Sequence, residues 1–171
     1  ENIVLRGDIF ADAVFAATMR QSIGLRSDRF DRNPDPAVTD FGVSAEVQSV
    51  TSFTELRREA MDLQRAARLG GEASTSWIEK QLPKNGVPVI AASDYVSAVG
   101  DLIRPWVRDP YTVLGTDGFG RSDTRAKLRR FFEVDRHSIV VASLSAAGSS
   151  RVGEAIKRFG IDPGSQPSWR R

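Results

Sequence analysis

The chain has no cysteine and a single histidine, His137, in 171 residues. Without cysteine there is no disulfide, no thiolate nucleophile and no cysteine-bound zinc. One imidazole supplies too few ligands for an ordinary structural zinc site. An all-oxygen Mg²⁺ site stays open, although no D-x-D-x-D-G pattern occurs. No apolar run approaches the roughly 20 residues needed to span a bilayer. Asp8 and Asp12 interrupt any apolar core of a signal peptide. With no span and no signal, the expected location is the cytoplasm. An excess of one charge is also missing: 24 Lys and Arg stand against 22 Asp and Glu, a net charge of +2. That gives no electrostatic case for nucleic acid, and the isoelectric point near 9.3 reflects abundant arginine rather than a basic face. The first residue is Glu rather than Met, so a fragment or a processed chain is expected.

What is present reads as one α/β domain. Apolar residues make up 40% and charged residues 27%, ordinary for a globular chain with room for a core. Residues 1–162 are expected to form the domain, with a loop insertion at about 22–39 and a loose tail at 163–171. Asn2 to Leu5 is a candidate strand, and Asp8 is placed to cap a helix from Ile9 to about Arg20. In the insertion, Asn33-Pro34-Asp35-Pro36 cannot continue a helix. Ala45 to Val50 alternates as a strand does. Ser52 and Glu55 have capping-box spacing ahead of a helical stripe of Leu56, Ala60, Leu63 and Ala67, which Gly70-Gly71 stops. Ser76 to Leu82 is a short helical turn. Pro88 to Ala92 is an apolar run of buried-strand type. Ser93 or Asp94 is placed to cap a helix from Tyr95 to about Ile103, with Val96, Val99 and Ile103 inward. Tyr111 to Leu114 reads as a strand, Thr124 to Phe132 as a basic amphipathic helix and Ser138 to Val141 as another buried strand, which Ala142 to Ala147 extend. A final helix carries Val152, Ile156 and Phe159. About five strands alternating with helices favour a small, open, mostly parallel sheet with helices on both faces.

In such a sheet ligands gather at the carboxyl ends of strands. The richest loop there is TDGFGRSD: Thr116, Asp117, Gly118, Phe119, Gly120, Arg121, Ser122 and Asp123. Its glycines permit close backbone approach, and Arg121 has the fork geometry for a carboxylate or phosphate. That makes it the candidate anion or interface loop. The plainer reading is that Ser122 or Asp123 caps the following helix, Asp117 closes a turn and Phe119 packs beneath the loop. The loop is neither G-x-G-x-x-G nor a P-loop, which needs a lysine. No G-x-S-x-G elbow accompanies His137, so a serine triad has little support, and no catalytic, cofactor-binding or metal-binding residue is assigned. Trp77, Trp106 and Trp169 read as packing residues; an exposed one would mark an interface. The arginine-rich helix, with Arg125, Lys127, Arg129 and Arg130, reads as a solvated face or, less simply, a surface for an acidic partner.

Three stretches go further by likeness. SVTSFTELRREAMD (Ser49 to Asp62), VIAASDYVSAVGDLIRPWV (Val89 to Val107) and YTVLGTDGFGRSDTRAKLRRFFEVD (Tyr111 to Asp135) resemble, in that order, the C-terminal domain of the homodimeric pyruvate dehydrogenase first component. The likeness runs from about Asp40 to Val141. It implies the transketolase C-terminal-like fold. It also implies a parent enzyme that uses thiamine diphosphate and Mg to decarboxylate pyruvate and passes the acetyl unit to a lipoyl-carrying acetyltransferase. In that family cofactor, metal and catalytic residues lie in preceding domains, so this chain is expected to hold no cofactor and to support a homodimer. Its expected partners are the catalytic domains of the parent and the lipoyl acetyltransferase core. The family's Trp-Asn-x-Leu-His-Pro element is replaced by LQRAARLGG, Gln48 stands where a tryptophan is usual, and Phe131 stands where a histidine is frequent. These departures point to a divergent paralogue. The alternative is a free-standing small-anion-binding or regulatory module derived from the same domain.

Overall fold

The computed structural model describes residues 14–20, 41 and 44–171. Four strands form one sheet: β1 (Val14–Arg20), β2 (Ser44–Val50), β3 (Val89–Ala92) and β4 (Tyr111–Leu114). Their order is β2-β1-β3-β4. β1 runs antiparallel to both neighbours, pairing Val14 with Val50 and Phe15 with Ala92, while β3 and β4 are parallel, pairing Val89 with Tyr111.

The open sheet of an α/β fold is therefore present, but the expected five-stranded, mostly parallel order is corrected. Among the described residues there are four strands, and one of three pairings is parallel. Two segments account for the difference. VFAATMR, expected as the end of a helix, is β1. Its apolar residues sit between two strands and need no helical face, and periodicity cannot separate a short buried strand from a helix turn. SIVVA, expected as a strand, lies inside a helix that starts at an Asp135 cap. The candidate strand at Asn2 to Leu5, the Asp8 cap and the insertion at 22–39 lie outside the described residues.

Six helices accompany the sheet among the described residues: α1 (Phe53–Arg68), α2 (Trp77–Gln81), α3 (Ser97–Asp101), α4 (Arg125–Phe131), α5 (Arg136–Ala146) and α6 (Val152–Arg158). Ser52 caps α1 by accepting the Glu55 amide at 3.2 Å. Beyond its C-terminus Gly70 takes φ +86°, where a Cβ is strained. At α2 the Ser76 hydroxyl accepts the Glu79 amide while the Glu79 carboxylate accepts the Ser76 amide, so two orphan donors are satisfied at once.

β3 is covered on both faces. Val89 and Ala91 join Val50, Phe53, Ala60, Ile78, Ile103 and Trp106 in one apolar cluster under α1 and α2. By strand alternation Ile90 and Ala92 face the other side, against which α5 packs. There Val140 and Leu144 of α5 meet Ala155 of α6 and Phe41 in a second cluster. Removing each of Ile90, Ile103 and Leu144 from water contributes roughly 1.5–3 kcal/mol. The helices thus lie on both faces, as expected.

The C-terminal residues correct the expectation of a loose tail. Residues 163–171 fold back on the domain and end in a 3-10 turn (Ser168–Arg170), with Ser168 buried. The reason is local: the Ser168 hydroxyl bonds a backbone carbonyl of the candidate loop, as described next.

Candidate functional site

β3 and β4 point the same way, so their carboxyl ends open on one edge of the domain. Two loops meet there, 93–96 after β3 and 115–124 after β4. Gly115 lets them touch: a Cβ at that position would lie 2.3 Å from the Ser97 nitrogen and 2.8 Å from the Tyr95 oxygen. Only a residue without a side chain permits that crossing. The next residue locks it. The Thr116 amide donates to the Tyr95 carbonyl at 2.9 Å, and its hydroxyl donates to the Asp94 carbonyl at 2.8 Å.

Asp117 does more than close a turn. Its carboxylate accepts the Ser97 amide at 3.1 Å and so caps α3 from another part of the chain. α3 has no cap of its own, because Val96 precedes it. This corrects the expected helix start at Tyr95: the Ser93 hydroxyl accepts the Tyr95 amide at 3.0 Å in a turn, and Val96 faces solvent. The Asp117 carbonyl accepts the Ser168 hydroxyl at 2.5 Å. Gly118 has φ +124°, and a Cβ there would meet the Ser168 oxygen at 2.6 Å, so the tail lies directly on the loop.

The rest of the loop turns outward. Phe119 is 84% exposed rather than packed beneath. Gly120 and Ser122 are also exposed. The Arg121 guanidinium stacks on the Phe131 ring at 4.4 Å, and Arg171 approaches the same ring at 5.3 Å. Asp123 accepts the Thr124 amide at 2.8 Å and lies 3.6 Å from Lys127. Thr124, not Ser122 or Asp123, is the cap of α4, with its hydroxyl facing the Lys127 amide at 3.5 Å. Arg121, Asp123, Lys127, Arg130 and Phe131 border a shallow, open groove.

The basic helix is not wholly a solvated face. Arg129 reaches Asp94 at 3.4 Å, with 13% of its side chain exposed. Arg130 donates to the Phe159 carbonyl at 2.8 Å and the Gly160 carbonyl at 2.9 Å, beyond the end of α6, and lies 3.4 Å from Asp135. A guanidinium there answers the unpaired carbonyls and negative pole of that helix. His137 lies on α5, stacked on Phe159 at 4.5 Å. Burial holds its imidazole below the usual pKa. Asp135 opposes that shift, and Arg136 and Arg130 reinforce it. The Arg136 guanidinium meets His137 Nε2 at 3.3 Å, and the Ser138 hydroxyl bonds the Asp135 carboxylate instead of the imidazole. Carboxylate, imidazole and hydroxyl therefore form no relay of the hydrolase kind.

Sequence reasoning missed Ser168. A serine between proline and tryptophan in an otherwise polar tail was the available signal. Of the tryptophans, Trp106 is buried, whereas Trp77 and Trp169 are 56% and 60% exposed. Among the described residues, no cluster of three or more His, Asp or Glu is arranged to hold a metal, and no helix is long and apolar enough to cross a membrane.

Known proteins are similar to this chain. The chain is 49% identical to the pyruvate dehydrogenase E1 component of Pseudomonas aeruginosa over 133 residues, covering 72% of this chain and 15% of that protein. The corresponding component of Cupriavidus necator is 47% identical over 132 residues, and that of Escherichia coli K12 is 41% identical over 130, with the same coverage. The chain thus spans about 15% of the length of these relatives. Residues 36–135, more than half of the chain, match the model of the transketolase-like TK C-terminal domain. That stretch holds β2 to β4, the capped α3 and the loop that caps it, and the chain belongs to the transketolase-like TK C-terminal domain family.

Proposed function

We propose that this chain is the non-catalytic C-terminal domain of a pyruvate dehydrogenase-like, thiamine-diphosphate-dependent 2-oxo acid dehydrogenase, and that it supports the dimeric architecture of that enzyme. The observation that carries this reading is how the richest loop uses its polar groups. Thr116 and Asp117 join the β3 and β4 loops, and Asp123 serves its own helix. These groups hold structure and are not aimed at a reacting atom. The 41–49% identity to E1 components supports this enzyme class.

On this reading thiamine diphosphate and its cation are held outside this chain. A bound diphosphate needs a divalent cation with oxygen ligands, and no suitable cluster is present among these residues. In the parent, cofactor, metal and chemistry would belong to preceding domains. The lipoyl acetyltransferase would meet the assembled enzyme in the cytoplasm. Two measurements test this. The native polypeptide in its source cells should run at several times 18.8 kDa on an immunoblot with antibody to this chain. The isolated chain should give no calorimetric signal with thiamine diphosphate and Mg²⁺. A native band near 18.8 kDa, or micromolar binding, overturns the reading.

One observation favours a second reading, a free-standing anion-binding or regulatory module. Arg121 and Arg171 converge on Phe131, and among the described residues no carboxylate lies within ion-pair distance of either. Phosphate or carboxylate metabolites would then raise the melting temperature, and Arg121→Ala would abolish the rise. No shift across the panel removes this reading.

A further inference from the structure

The chain has three asparagines, and their successors differ: Ile follows Asn2, Pro follows Asn33 and Gly follows Asn85. The difference is chemical. A backbone nitrogen can attack the side-chain amide carbon of an asparagine just before it. Proline has no N–H to give up, and a branched isoleucine crowds the approach. Glycine has neither obstacle. Asn85 and Gly86 are both exposed, in the loop that leads into β3. Gly86 has φ +78°, and nothing lies within 4 Å of where a Cβ would stand.

The hydrogen bonds of this loop bear on the attack in opposite senses. The Val87 amide donates to Asn85 Oδ1 at 3.0 Å. That oxygen gathers negative charge as its carbon is attacked, so this donor favours the step. Asp109 opposes it. Its carboxylate accepts the Asn85 amide at 2.9 Å and the Gly86 amide at 3.1 Å. The Gly86 nitrogen must lose its proton to attack. Losing it forfeits a hydrogen bond to a charged group and leaves negative charge beside a carboxylate.

We infer that Asn85 is a modification site, deamidating spontaneously through a succinimide, and that Asp109 restrains the rate. The Gly86 nitrogen gives up its proton and bonds to Asn85 Cγ. The Cγ–Nδ2 bond breaks, and the amide nitrogen leaves with a proton as ammonia. Water then opens the ring at either carbonyl, leaving aspartate or isoaspartate at position 85. The product sets a second carboxylate beside Asp109. The iso form also adds a backbone carbon just ahead of Val89, whose amide bonds the Pro110 carbonyl at 2.8 Å. Conversion therefore loosens the start of the β3–β4 pairing. The inference is independent of whether the domain works inside a dehydrogenase or alone.

The test ages the whole chain in mildly alkaline buffer beside Asp109→Ala, Asp109→Asn and a blocked synthetic peptide spanning Pro83 to Val89. Mass-spectrometric peptide mapping reads the amide-to-acid change at Asn85, and enzymatic methylation reads the isoaspartate. The chain's other Asx-Gly pair, Asp117-Gly118, has no side-chain amide to lose and so no mass to gain. The peptide and Asp109→Ala should each convert at least ~10-fold faster than the parent, as the loss of a charge-assisted hydrogen bond implies. Asp109→Asn keeps an acceptor without the charge and should fall between. Equal rates in the parent and Asp109→Ala overturn the inference, as does conversion of the peptide with none at Asn85 in any of the proteins. A slower Asp109→Ala also overturns it, because the carboxylate would then be drawing off the Gly86 proton. If the alanine variant melts below the ageing temperature, Asp109→Asn decides, and a rate no faster than the parent's counts against the restraint.

Discussion

The carboxylate of Asp117 caps α3 by accepting the amide of Ser97 at 3.1 Å, across 20 positions of sequence. A helix that opens on Val96 has no side chain of its own for this task. The loop after β4 therefore finishes the element after β3, and either loop alone is incomplete.

Asp117→Ala should lower stability by about 0.5–2 kcal/mol, the usual cost of losing a cap. Asp117→Asn retains an acceptor and should lose less. Urea midpoints of the three proteins measure this. Equal midpoints would mean that the cap contributes nothing.

Gly115 and Gly120 should respond oppositely to the same change. At Gly115 an alanine Cβ meets the Ser97 backbone at 2.3 Å, so Gly115→Ala should cost ~1–3 kcal/mol or prevent folding. At Gly120 nothing lies within 4 Å, so Gly120→Ala should stay within about 0.5 kcal/mol of the parent. Thermal melts of the pair decide it, and similar losses at both sites would contradict the crossing of the loops.

Removing Arg130 should loosen α6. Its guanidinium serves the Phe159 and Gly160 carbonyls, and Arg130→Ala should cost roughly 1.5–3 kcal/mol. Arg130→Lys should recover only part, because one ammonium cannot reproduce the fork. Hydrogen exchange at the α6 amides should accelerate in the alanine variant; unchanged exchange there would dissociate Arg130 from the helix end.

Glu79 should contribute to the acid limb of stability. Arg108 and the Ser76 amide hold its carboxyl below the usual range. Because the folded value lies below the unfolded one, the contribution is complete above the unfolded value of about 4.3 and is lost as pH falls through the folded value. Glu79→Gln should be less stable than the parent at pH 7, and the gap should close on acidification below about pH 4. A gap that stays constant between those limits would exclude the linkage.

Much of this arrangement could be read from residues. VIAA and YTVL are strands, Ser52 caps a helix, a short helix lies within Ser76 to Leu82, and the loop after Leu114 lies at the strand ends as expected. The misreadings share one cause. VFAATMR and SIVVA are short and largely apolar, and each could be strand or helix by composition. Tertiary partners decided: β2 and β3 flank the first, and the Asp135 cap starts the helix around the second. The long-range partners of the site, Asp117 with Ser97 and Ser168 with the loop, left no periodic signal, because each joins segments far apart in sequence.

The position of β1 bears on where this domain can be cut. Val14–Arg20 precedes the matched stretch 36–135, yet it alone joins β2 to β3. A fragment trimmed to the matched stretch would keep the loop but leave β2 without a neighbour and expose the facing side of β3. Such open edges recruit strands from other molecules. The trimmed fragment should therefore exchange strands or aggregate, and the working boundary of the fold lies upstream of the family boundary.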